Sequence, residues 1–236
     1  MSDRPEIVEK GVIAALQLAS VEGWPAVTLA AIAERAGLSL SDFHGVADKL
    51  AIAHAVEAHF DSAMSDAGAG AEDSPRERLF DVLMNRFEAM EPYRAGLVSF
   101  WKWRERHPAE LVRMIGERRS TADWALVCAG LDGSQDIPAG LKGTNLAWVA
   151  AKASRAWRKD SGPDFTRTMS VLDKELRAAE EREEWLGRVF GGQRTRSHGD
   201  ASGQEVGPPS PAEPSSEPGP PGLERFRFQR KHSRRW

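Results

Sequence analysis

A single cysteine, Cys128, is all that the 236 residues contain, which excludes an internal disulfide framework and any zinc site built on cysteines. Nothing then argues for an oxidising compartment, and a cytoplasmic setting is the expectation. Long apolar runs are missing as well: none approaches the roughly 18–20 residues that span a bilayer. The opening MSDRPEIVEK lacks the charged-then-apolar pattern of an export signal. Alternating β-branched runs are scarce, so strands are not expected. Catalytic constellations are lacking too. The histidines His44, His54, His59, His107, His198 and His232 have no metal-ligand partners at useful spacing. No HExxH, Gly-rich phosphate loop or G-x-S-x-G elbow occurs. The expectation is a non-enzyme without metal or cofactor.

What is present is helical pattern. A hydrophobic content of 41% suffices for a sizeable core, and apolar residues recur three and four apart throughout. The first helix is expected to begin near Pro5, with Val8, Val12, Leu16 and Ala19 on one stripe, and to stop at Gly23. Thr28 is placed to cap a short second helix over 29–36, with Val27 and Ile32 as a hydrophobic staple and Gly37 as its left-handed stop. Ser39 repeats the device with Asp42 three residues on, and starts a third short helix at Leu40. A connecting helix is read over 47–66. Ser74, Pro75 and Glu77 form a capping box that opens an amphipathic helix carrying Leu79, Val82, Leu83, Phe87 and Met90. Further helices are expected over 93–106, 108–131, 138–159 and 163–190. After Gly191 the composition turns to Gly, Pro, Ser and Glu, too poor in apolar surface to offset ordering entropy.

The reading is therefore all-α: a three-helix helix-turn-helix head with its connecting helix (1–66), a helical ligand-binding and dimerisation body (74–190), and a disordered tail (191–236). The tail ends ERFRFQRKHSRRW, basic residues interleaved with aromatics that suit nucleic acid, anionic lipid or an acidic partner. Residues 1–66 hold Arg4, Lys10, Arg35 and Lys49 against ten acidic side chains, a sum of -6. DNA affinity rests largely on phosphate contacts, so this acidity bears directly on the head's use.

The stretch TLAAIAERAGLS resembles the helix-turn-helix of the TetR family of bacterial regulators. Gly23, Thr28, Leu29, Ile32, Ala33, Ala36, Gly37, Leu38, Ser39 and Lys49 match the family pattern. The following SLSDFHGVADK is one residue shorter than the usual recognition segment and has His44 in place of its tyrosine. The resemblance implies an all-α homodimer that binds DNA and regulates transcription under control of a small hydrophobic ligand. It implies that Ser39, Leu40, Ser41, Asp42 and His44 enter the major groove while Thr28 and Lys49 hold phosphates. Dimer contacts would come from helices near 141–157 and 163–185.

RLFDVLMNRFEAMEPY and AWRKDSGPDFTRTMSVLDKEL are also similar to segments of a coenzyme Q biosynthesis family with the same fold. That resemblance implies the alternative: a protein that binds isoprenoid lipid instead of DNA, with a peripheral membrane contact at its last helix. For either ligand, Met84, Phe87, Trp101, Trp103, Trp124 and Trp148 are the candidate pocket lining, because aromatic and thioether side chains suit flat or flexible apolar molecules.

Overall fold

Nine α-helices and two short 3-10 turns make up the computed structural model, which describes residues 3–67, 73–133, 139–160, 162 and 164–196. The order is α1 (Arg4–Glu22), α2 (Leu29–Arg35), α3 (Leu40–Phe43), α4 (Lys49–Asp61), α5 (Pro75–Met90), α6 (Arg94–Arg104), α7 (Pro108–Cys128), α8 (Ala139–Trp157) and α9 (Thr166–Arg196). The all-helical reading holds, and most boundaries lie within a few residues of expectation. Asp3 caps α1 with Pro5 in its first turn, and Ser74 and Glu77 close their box on α5, Ser74 N–H donating to Glu77 over 2.9 Å.

Two boundaries differ for identifiable reasons. The connecting helix α4 starts at Lys49 rather than 47, because Asp48 takes the cap and accepts from Ala51 N–H over 2.7 Å. The last helix runs on to Arg196, past the glycine pair at 191–192 where the tail was expected to begin. Extending a formed helix needs no new nucleus, so two glycines do not by themselves end it. The remainder of the tail, including its basic-aromatic end and the disorder read for it, lies outside the described residues.

Head and body pack into one unit. The joint is α1 against α6, where Gly96 lies so close that an added methyl group would overlap the carbonyl oxygen of Leu16. Trp24, in the turn after α1, is fully buried there. Its backbone N–H donates to Ser99 Oγ over 2.9 Å, and its ring meets Phe100 at 4.6 Å and Trp103 at 6.0 Å. Helices α8 and α9 run antiparallel, tied by Lys152 to Glu175 over 2.9 Å and by Asn145 Nδ2 donating to Glu183 over 3.1 Å. Among the described residues no helix is long and apolar enough to cross a membrane.

Candidate nucleic-acid interface

Local chemistry builds the helix-turn-helix. Thr28 Oγ1 accepts from Ala31 N–H and starts α2. Gly37, at φ +67°, ends it: Leu38 N–H reaches back to Ala33 O over 2.9 Å and Gly37 N–H to Glu34 O over 3.1 Å. Those two bonds satisfy carbonyls that a helix end otherwise leaves bare. Ser39 then caps α3, with both its backbone N–H and its hydroxyl donating to Asp42 Oδ2 over 2.8 and 2.7 Å. The hydroxyl first, then the N–H, hold the Asp42 carboxyl below its ordinary range, so it stays ionised.

α3 is a single turn. Phe43 is its inward anchor, and a methyl group on Gly11 of α1 would touch that ring at 3.2 Å. Gly45, at φ +73°, turns the chain away toward α4. Ser39, Leu40, Ser41, Asp42 and His44 all remain exposed, Leu40 at 53%. Such an edge of hydroxyls, an imidazole and an apolar side chain can meet base edges and a thymine methyl.

Phosphate anchoring is sparse. Lys49 Nζ donates to Trp24 O over 3.0 Å and more weakly to Pro25 O over 3.4 Å, so its ammonium ties the turn before α2 to the start of α4. Burial lowers the pKa of this ammonium. Lys10 is paired with Glu6 on α1 over 2.7 Å. Two of the head's acids are equally committed: Glu57 and Asp61, on the last turns of α4, point into the body rather than toward the reading edge. The outward face of the head is accordingly less acidic than its composition.

Arg86 of α5 receives those two acids. It is 5% exposed and donates through Nε to Asp61 over 2.7 Å and through Nη2 to Glu57 over 2.5 Å. Trp101 Nε1 donates to Glu57 over 2.8 Å and Thr121 Oγ1 to Asp61 over 2.7 Å. Arg104, fully buried on α6, pairs with Glu117 over 2.6 Å and stands 3.6 Å from Glu57. Burial alone would raise the Glu57 carboxyl, but Arg86, Trp101 and Arg104 together outweigh it and hold it below the ordinary range. Burial wins at Asp61 and at Glu117, whose carboxyls are raised despite Arg86 and Arg104.

The six candidate pocket residues are not brought together. Met84 and Phe87 are buried on α5 and Trp101 on α6. Phe87 and Trp101 meet through Trp157, whose ring lies 6.4 Å from one and 5.7 Å from the other. Trp103 packs at the head–body joint against Trp24 and Phe100. Trp124 and Trp148 are 42% and 51% exposed. Three of the six are thus joint or surface residues, since helical periodicity reports a side, not a neighbour. Of the residues described here, Trp101 alone of the six lines the small cavity between α4, α5, α6, α7 and α8, in the company of charged side chains. Sequence reasoning missed Trp24, although a tryptophan in a tight turn is exposed unless a distant element covers it. It also missed Arg86 and Arg104.

No protein-family model matches the sequence, and no curated protein matches it. Solved structures do. A TetR transcriptional regulator from Nitrosomonas europaea superposes with a TM-score of 0.60 at 22% identity, covering 75% of this chain and 97% of that one. A TetR transcriptional regulator from Rhodococcus sp. RHA1 gives 0.55 at 15% identity, with 75% and 97% covered. The short capped helix pair, the connecting helix and the body behind it together make the fold of this chain that of the TetR transcriptional regulators.

Proposed function

We propose that the protein is a TetR-type, DNA-binding transcriptional regulator that works as a homodimer under control of a small ligand. The observation that carries this is the intact α2–turn–α3 unit, capped at both helices, with Ser39, Leu40, Ser41, Asp42 and His44 outward and Phe43 inward. Thr28 and Lys49 flank that edge as the phosphate contacts; Lys49 spends part of its ammonium on Trp24 and Pro25 and presents the rest. Two heads are needed to read two successive major grooves, roughly 34 Å apart. Helices α8 and α9 are the proposed dimer face, on which Leu141 and Trp148, seven residues apart on α8, are exposed at 40% and 51%.

Coupling to the body runs through α4. It begins directly after the reading segment and ends in the ion pairs of Glu57 and Asp61 with Arg86. A ligand that changes those pairs moves the head and shifts the population away from DNA-competent spacing. The test is selection of duplex sites from a random pool by the full chain at low salt. Enrichment of a two-fold related pair of half-sites, bound with steep salt dependence, is expected. Failure to enrich any site, with no salt-dependent retention of duplex DNA, overturns the proposal.

A further inference from the structure

The small, partly open cavity beside α4 is chemically unlike an apolar ligand pocket. It holds about 30 Å³ of water-accessible space and is lined by Arg86, Arg118 and Arg158, with Glu57, Trp101 and Ser154 among the rest. Three guanidinium groups thus face one carboxylate. Each of the three Arg86 nitrogens already has a partner, in Asp61, the Met90 sulfur and Glu57. Arg158 uses one nitrogen on Glu105 over 2.6 Å and lies 4.5 Å over the Trp101 ring, but its Nε is buried with no hydrogen-bond partner. Arg118, on α7, makes neither a hydrogen bond nor an ion pair among the described residues. Burial, then the charges of Arg158 and Arg155, lower its pKa against the pull of Glu57 and Glu105, neither of which pairs with it directly. An arginine fork half withdrawn from water among other cations is unfavourable unless an anion completes it.

We infer that Arg118 and Arg158 form an oxyanion-binding site in the body, taking the carboxylate or phosphate group of a small ligand. The space has room for two or three waters, which is the size of such a group and not of a lipid or polycyclic molecule. The planar fork of Arg118 supplies two parallel donors, and the Arg158 guanidinium adds a second positive charge at the wall. Ser154, whose hydroxyl donates to Ala150 O over 2.8 Å, and the methyl groups of Ala150 and Ala151 form the wall on α8. Glu57 borders the same space, so an incoming anion repels the carboxylate that holds α4 to Arg86. Only this last consequence, release of the head, rests on the function proposed above; anion binding does not.

The full chain is titrated with sodium phosphate and, separately, sodium acetate and benzoate, at ionic strength held constant with chloride. Melting temperature and calorimetric heat are followed. A saturable rise of roughly 3 °C or more with one of these anions is expected; phosphate alone or carboxylate alone identifies the group. Arg118→Gln removes an unpaired cation, so it folds with unchanged or higher basal stability while the Kd for the responding anion rises roughly tenfold or more. No saturable response to any of the three anions, or an equal response in Arg118→Gln, overturns the site. If the anion binds but DNA affinity does not move, the site stands and its coupling to α4 is overturned. If DNA is never bound, the proposed function falls while the anion site is judged on its own titration.

Discussion

The residues with the most at stake are the paired charges inside the body. Arg86 and Arg104 lie on the apolar stripes of their own helices: Arg86 follows Leu79 by seven and Leu83 by three, and Arg104 follows Leu97 by seven and Phe100 by four. That register was readable as an inward position. What it could not give was the partner, because Glu57 and Asp61 come from a helix more than 20 residues away. At neutral pH, Glu57→Gln leaves Arg86 and Arg104 short of a charge and is expected to cost about 3 kcal/mol in urea unfolding. Asp61→Asn should cost less, because burial already raises the pKa of that carboxyl and an amide keeps its contacts. The pH dependence separates them. Glu57 is depressed in the folded chain, so its contribution is complete above the ordinary value of 4.5 and is lost as pH falls through the lower folded value. The stability gap between the native chain and Glu57→Gln therefore stays constant down to about 4.5, narrows as the pH falls from there through the lower folded value, and levels off below it. Asp61 is raised, so the folded chain takes up its proton first, and lowering the pH through the raised value stabilises the native chain relative to Asp61→Asn.

At the scale of elements, the head was the most legible part of the chain, because caps and turns are local. Thr28, Gly37, Ser39 and Asp42 do in the structure what their spacing announces. The role of Lys49 was less so: the resemblance marks it for phosphate, and the fold also gives it the carbonyls of Trp24 and Pro25. Replacing it by glutamine removes both uses. Lys49→Gln is expected to weaken DNA binding by a similar factor on all sequences and to reduce the salt slope of log affinity by about 1. Fluorescence anisotropy over a salt series measures this. An unchanged slope would assign Lys49 to the tie between the turn before α2 and the start of α4 alone.

At the scale of the whole molecule, the proposed homodimer depends on an exposed apolar face that periodicity suggests but only packing selects. Trp148 is half exposed beside Lys152, whose ammonium lies 5.4 Å from its ring centre. Trp148→Glu puts a charge where a seam would close. Light scattering after gel filtration is expected to show the native chain at twice the protomer mass and the variant at one, with helix content unchanged. A native chain that runs as a monomer at micromolar concentration would remove the dimer, and with it the two-groove geometry.

Composition, helical period and capping residues determined on their own that the described part of this chain is all-helical, where most helices begin, and that residues 28–44 form a helix-turn-helix. These properties are set by neighbours within a turn or two, so the sequence carries them directly. The tertiary structure alone decided that Trp24 locks the head to α6, that Trp103, Trp124 and Trp148 do not line a common pocket, and that the cavity beside α4 is ringed by arginines. Those outcomes depend on which faces of distant helices meet, and a one-dimensional period cannot specify the helix that answers it.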